Sequence, residues 1–328
     1  MFTGSTVWIA IVLFLVGFLF LIKGGDWFVD GSVGIARRFK VSELLIGATV
    51  VSIGTTIPEV MVSAFGAAAG SSGIAYGNAV GSIICNTSLI AALTVAIRPG
   101  KADSGALKLP VCVFFIAAAF YCAIAYLNGR FDRWVGIVLL AGFVCYILLS
   151  VRRAMTAPKA DDAAEEEAEE KPWPLWKQLT ALIGGAAVIA LGARLLVDNG
   201  TFLAEKLGIP DSVIGLTVVA LGTSLPELVT AVTSLIKGHS ALSLGNVIGA
   251  NLFNLVLVSG IATTIKPFDI PAEKMIGSVN ASFAIDLPLM LIVMALLTLP
   301  AIKKQRLERW QGITLLCVYA GYVLFQFI

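Results

Sequence analysis

The chain has 328 residues, 58% of them hydrophobic and only 13% charged, with a formal net charge of +2. A soluble domain carries about 25% charged residues, so this composition points to a membrane protein and away from a soluble enzyme, and the near-neutral charge implies no nucleic-acid partner. The single histidine, His239, excludes HExxH metalloprotease chemistry, and the five cysteines lie in apolar stretches with no CxxC pair, as small packing residues do.

A membrane-spanning helix needs about 20 mostly apolar residues. In chain order the expected spans are 6–30, 41–69, 73–97, 107–127 and 133–151. The first has no basic leader and no clear cleavage site, so it reads as a first spanning helix and not a removable signal. Residues 152–174 then break the pattern: Asp161, Asp162, Glu165, Glu166, Glu167, Glu169 and Glu170 make a solvated acidic linker. Five further spans follow at 175–200, 211–236, 240–264, 278–300 and 309–327. The second, third, seventh and eighth spans are interrupted by Gly, Pro, Asn and Glu and are expected to be discontinuous.

The chain repeats itself. Gly47–Val51 matches Gly215–Val219, Gly54–Glu59 matches Gly222–Glu227, and Gly77–Asn86 matches Gly245–Asn254. Asp30 likewise matches Asp198, and every pair is separated by the same 168 residues. Such a constant offset implies duplication, with residues 1–151 as the first five-helix repeat and 175–328 as the second. An odd number of spans per half inverts the second half in the membrane. The expected fold is therefore all-α and integral to the membrane, with ten transmembrane helices in two inverted-topology repeats. Lys and Arg gather in the odd-numbered loops, among them Arg37, Arg38, Arg152, Arg153, Lys303 and Lys304. By the positive-inside rule these loops and the linker are cytoplasmic and both termini outside the cell membrane.

Glu59 and Glu227 fall at bilayer depth, where a carboxylate costs at least ~2.5–3.5 kcal/mol. One at each equivalent repeat position points to function; the bland alternative is a protonated glutamate bonding between helices. Pro58 and Pro226 precede them and free the carbonyls four residues earlier, at Gly54 and Gly222. Thr55 and Thr223 lie at i−4 from the glutamates, and Thr56 and Ser224 at i−3, so these hydroxyls share the carboxylate face. Asn78, Ser82 and Asn86 form one helical face, with Asn246, Ala250 and Asn254 as its counterpart. Gly77, Gly81, Gly245 and Gly249 are small-xxx-small pairs that let helices approach closely. Carboxylate, hydroxyl, amide and backbone oxygens without His or Cys select hard cations, and Na⁺ and Ca²⁺ suit such a cage better than Mg²⁺.

These paired motifs resemble those of the calcium/cation antiporter superfamily, most closely the prokaryotic sodium/calcium exchangers. The resemblance carries G-T-S-x-P-E as Gly54–Glu59 and Gly222–Glu227, and G-N-x-x-G-S/A-N as Gly77–Asn86 and Gly245–Asn254. It implies a secondary transporter with no cofactor that exports Ca²⁺ in exchange for Na⁺ by alternating access, with a monomer sufficient. By motif position Glu59 and Glu227 would coordinate Ca²⁺, and Thr55, Thr56, Ser82, Thr223 and Ser224 would help bind Na⁺, with Asn86 opposite. Three positions depart from the family pattern: Thr56 where serine is commoner, Ala250 where a serine can supply an oxygen, and Asn254 where well-studied members carry an aspartate. Two carboxylates are neutralised by one Ca²⁺ or two Na⁺, so voltage dependence should be weak. A proton- or potassium-coupled exchanger of the same superfamily is the alternative. A channel lacks a carbonyl-filter motif, and an intramembrane protease lacks a Ser/His pair.

Overall fold

A computed structural model describes residues 6–70, 72–156, 173–207, 220–271 and 275–327. The repeat match at Gly215–Val219, the start of the expected seventh span and the acidic residues 161–170 of the linker lie outside the described residues.

The described chain is helical almost throughout. Its helices are α1 (Val7–Arg38), α2 (Glu43–Ala69), α3 (Gly73–Ile97), α4 (Ser104–Asn128), α5 (Arg133–Thr156), α6 (Leu175–Lys206), α7 (Leu225–Ile236), α8 (Ser240–Ile265), α9 (Ser282–Lys304) and α10 (Arg309–Phe327). Eight of the described helices are long and apolar enough to cross a membrane, which makes this a multi-pass membrane protein. α1 runs two turns past the expected end at residue 30, because Arg37 and Arg38 complement its C-terminus and Gly31 keeps it pressed on α6. Local signals start the helices: Thr6 caps α1, Ser42 caps α2, and Asp103 accepts from the amides of Gly105 and Ala106 at the start of α4.

α1 and α6 pack antiparallel along a seam of glycines. A Cβ on Gly17 would lie 2.8 Å from the Gly192 carbonyl oxygen, and one on Gly24 would lie 3.0 Å from that of Gly185. This pair stands against the remaining helices and turns Trp8, Val12, Leu15, Phe18 and Leu19 outward, as a lipid-facing helix does. At the opposite extreme is α8, buried over 89% of its most apolar stretch against 22% for α1, so α8 forms the centre of the molecule.

The interruptions expected at Gly, Pro, Asn and Glu take a different form. α2 runs unbroken through Pro58 and carries a π-turn upstream, at Gly47–Val51; α3 and α8 carry π-turns at Asn86–Ala91 and Asn254–Val258. A π-turn widens the helix by one residue and disturbs the carbonyl ladder without ending it. Side chains complete the first of these: the Ser52 hydroxyl donates to the Gly47 oxygen (2.7 Å) and the Tyr146 hydroxyl to that of Ala48 (2.9 Å). Among the described residues only the seventh span is broken at its proline: the turn Ala220–Thr223 ends, Ser224 leaves helical geometry, and α7 restarts with Pro226 in its first turn.

Two short clasps tie the loops. Gly100–Lys101 pairs with Arg306–Leu307, linking the α3–α4 and α9–α10 connections; Arg130–Phe131 pairs with Phe268–Asp269, linking those of α4–α5 and α8–α9. A hairpin at Met275–Asn280 completes the strands among the described residues. At the turn between α7 and α8, Lys237 Nζ lies 2.7 Å from Asp30 and 3.4 Å from Asp26 of α1, and His239 Nδ1 lies 2.8 Å from Glu43 of α2.

Candidate functional site

The helices bearing the two glutamates enclose them completely. Glu59 and Glu227 have no solvent exposure, and each lies within electrostatic reach of the other. Their settings differ. Glu59 sits inside the continuous helix α2, whereas Glu227 occupies the first turn of α7, where the unpaired amides of a helix start favour negative charge. The duplicated motif thus produces two unequal carboxylates, because only the second copy breaks at its proline.

The segment carrying Asn86 packs on α7, the helix of Glu227, and the segment carrying Asn254 packs on α2, the helix of Glu59. Both amides are fully buried. Across the two halves, the Thr55 hydroxyl donates to the Asn246 side-chain oxygen (3.3 Å). Asn78, half-buried, turns from the carboxylate to the backbone: its amide nitrogen donates to the Glu59 carbonyl (3.0 Å) and to Ser63 (2.9 Å). Ser82, Thr223 and Ser224 line a cavity of about 350 Å³ that also touches Asn78, Gly77 and Gly81.

Polar pairing around this centre is incomplete. No hydrogen bond of ordinary geometry is made by the carboxylate oxygens of Glu59 or Glu227, by the side-chain oxygens and nitrogens of Asn86 and Asn254, or by the hydroxyls of Thr56 and Ser224, although the Thr55 hydroxyl lies near the Glu227 carboxylate. Each such buried group left unpaired costs about 1–3 kcal/mol, and more when charged. Concentrated here, they make a set of hard oxygens whose natural complement is a cation.

The helical faces expected from spacing are present, but the glycine pairs divide. Gly245 and Gly249 are pressed on α2, where an added Cβ would lie 2.2 Å from the Leu44 oxygen and 2.3 Å from Ser52 Oγ; at Gly77 and Gly81 it would meet nothing within 4 Å among the described residues. Two participants escaped the spacing argument. Ser52 donates to the Asn246 carbonyl oxygen (2.9 Å), and the Asn251 amide donates to Thr87 (2.7 Å), which joins α8 to α3 beside Asn86 and Asn254. Ser52 was detectable as the start of a polar face that continues through Thr55, Thr56, Glu59 and Ser63; nothing local marks the Asn251–Thr87 pair.

Hard-oxygen chemistry enclosed by spanning helices defines a transporter of cations. The chain belongs to the sodium/calcium exchanger protein family, whose model matches residues 9–152 and 177–328. It is therefore a cation antiporter and not an enzyme. It is 35% identical over 317 residues to a putative antiporter, CaxA, of Alkalimonas amylolytica, with 96% of this chain and 97% of that one covered. It is 29% identical to the sodium/calcium exchanger MaX1 of Methanosarcina acetivorans, with 96% and 98% covered. Its fold matches solved structures of the sodium-calcium exchanger NCX_Mj with a TM-score of 0.81 at 33% identity, covering 97% of this chain and 99% of that one.

Proposed function

We propose that the chain exports Ca²⁺ in exchange for Na⁺ by alternating access to one site at the membrane midplane. In this reading Glu59 and Glu227 coordinate Ca²⁺, and Thr55, Thr56, Ser82, Thr223, Ser224, Asn86 and Asn254 provide further oxygens to Ca²⁺ or Na⁺. Asn78 and Asn246 are held by hydrogen bonds and shape the cage from behind. The observation that carries the proposal is the concentration of unpaired buried oxygens on Glu59, Glu227, Asn86 and Asn254.

The halves 1–151 and 175–328 act as inverted five-helix repeats, joined by the linker 152–174, with ten spans in all. The antiparallel glycine seam supports this. Gly17 and Gly24 lie 168 residues before Gly185 and Gly192, so the Gly17–Gly192 contact and the Gly24–Gly185 contact exchange under a two-fold axis. The loop clasps exchange by connection, with Gly100–Lys101 matching Phe268–Asp269 at 168 residues and Arg130–Phe131 matching Arg306–Leu307 at 176. The termini and the connection at residues 70–72 face outward, while the linker and the α7–α8 turn face the cytoplasm. The cavity beside Gly77 and Gly81 is then the outer access route, and the closed packing of Gly245 and Gly249 on α2 seals the inner one. A monomer is sufficient for this cycle.

With two glutamates the cage is neutral around one Ca²⁺ or two Na⁺. The amide of Asn254 leaves no third carboxylate, and this favours coupling to protons or potassium as the second reading. Calcium flux in proteoliposomes with sodium, potassium and proton gradients varied separately tests both. Uptake driven only by an outward sodium gradient supports sodium coupling; uptake driven by a pH or potassium gradient in its place rejects it.

A further inference from the structure

The two access routes are related by the repeat offset but differ in chemistry. The cavity of the open route passes Val62 on α2 and Asn78 and Ser82 on α3. Adding 168 to the lining positions moves them to α7 and α8: Val62 becomes Thr230, Gly77 becomes Gly245, and Gly81 becomes Gly249. That second face is the one shut here against Leu44 and Ser52.

Three hydroxyls lie close to the shut face; Thr230 is the counterpart of the cavity-lining Val62, whereas Ser234 and Ser243 correspond to Gly66 and Ala75, which do not line the cavity. Thr230 and Ser234 follow Glu227 at i+3 and i+7 and share its side of α7. The opposite side, with Val229 and Thr233, packs on Gly25 of α1. Ser243 stands on α8 three residues before Asn246, just across the turn that brings the His239 amide to the Ser234 carbonyl (2.7 Å). Ser234 and Ser243 flank the α7–α8 turn, and Thr230 lies one helical turn from Ser234 towards Glu227. Thr230 and Ser234 are fully buried and Ser243 is 2% exposed, and none of their hydroxyls has a hydrogen-bond partner in the protein.

Several hydroxyls on the other helices behave differently, although Thr56, Ser150 and Thr263 are buried and unpaired as well. Ser32, Thr49, Thr87, Thr264 and Thr298 each donate to the carbonyl four residues earlier at 2.6–2.7 Å. Thr230, Ser234 and Ser243 forgo this ordinary back-bond. An unpaired buried hydroxyl is destabilising, so these three call for a partner in another state of the protein. They are not inherited from the duplication either. The positions 168 residues earlier are Val62, Gly66 and Ala75, which have no hydroxyl.

We propose that Thr230, Ser234 and Ser243 line the cytoplasmic route to Glu227, where their hydroxyls replace part of the hydration shell of a passing cation once the route opens. The inference rests on the alternating-access reading and assigns residues to its inner half. The Lys237 bridge to Asp26 and Asp30 lies at the mouth of the route and ties it to α1.

The test uses the full chain with its five native cysteines replaced and a single cysteine returned, as Val62→Cys or Ser234→Cys. Oriented vesicles carrying out exchange are treated with a membrane-impermeant methanethiosulfonate reagent from one side at a time. The expected result is labelling of the Val62→Cys chain only from outside and of the Ser234→Cys chain only from the cytoplasmic side. Outside labelling of Val62→Cys with Ser234→Cys reacting from neither side, or from outside, overturns the inference and leaves alternating access standing. Failure of both chains to label while exchange continues overturns the alternating-access reading and this inference with it. In a second measurement, the triple variant Thr230→Val, Ser234→Ala, Ser243→Ala should exchange about tenfold more slowly, the loss expected when one hydrogen-bond's worth of stabilisation leaves the barrier, with equilibrium ⁴⁵Ca²⁺ binding in detergent unchanged. An unchanged rate, or binding that falls in parallel with the rate, overturns the assignment.

Discussion

The Thr55 hydroxyl reaches from one half of the chain to the Asn246 side-chain oxygen of the other, 3.3 Å away and out of contact with water. This bond holds α2 to α8 at the level of the carboxylates. Thr55→Val keeps the shape and removes the donor, leaving the Asn246 side-chain oxygen with only a longer contact to Ser52 (3.4 Å). A buried acceptor that loses its partner costs about 1–3 kcal/mol. We expect calcium affinity to fall by roughly five- to a hundredfold in Thr55→Val and to be largely retained in Thr55→Ser. Calcium-dependent exchange rates would measure it, and equal losses in the two variants would assign Thr55 a packing role only.

Glu59→Gln and Glu227→Gln preserve volume while deleting charge from the cage. Each is expected to abolish calcium transport and ⁴⁵Ca²⁺ binding while the protein keeps its elution profile in detergent. Retention of transport by both variants would show that the site lies elsewhere.

The charge count predicts how the exchanger responds to voltage. With neutral loading by one Ca²⁺ or two Na⁺, flux should change little under an imposed potential. Asn254→Asp adds a third carboxylate next to α2 and should make exchange voltage-dependent, since moving one net charge across 100 mV is worth about 2.3 kcal/mol. Strongly electrogenic exchange by the unaltered chain would refute the two-carboxylate arithmetic.

Gly185 is a test of the α1–α6 seam. A Cβ there would lie 2.5 Å from the Phe28 backbone nitrogen, so the helices must separate to admit it. Gly185→Ala should lower stability by about 1–3 kcal/mol, the usual cost of overpacking. Gly142→Ala, where the added carbon meets nothing within 4 Å among the described residues, should be neutral or mildly stabilising. Thermal unfolding of the two variants in detergent would compare them.

Much of this was legible in the residues. Glu59 and Glu227 announced themselves because a charge within an apolar span is costly, and the offset of 168 paired them without any coordinates. What sequence could not supply depends on contacts between distant segments. The π-turn at Gly47 draws on a distant partner, Tyr146, that no local motif announces. Closely matching proline motifs gave one intact and one broken helix, because propensity is set by surroundings as well as by sequence. The Gly-Asn motifs are equivalent as strings, yet one pair of glycines is pressed on α2 while the other borders a cavity.

The two strand clasps have a mechanical consequence. They fasten connections of α3, α4, α5, α8, α9 and α10 to one another at their ends, and among the described residues neither touches α1 or α6. The clasps thus staple α3, α4, α5, α8, α9 and α10 into a frame, while α2 and α7 carry no clasp and α1 and α6 are zipped to each other by glycine. α1 and α6 stand outside that stapling and are joined to the rest by packing and by the Lys237 bridge to Asp26 and Asp30.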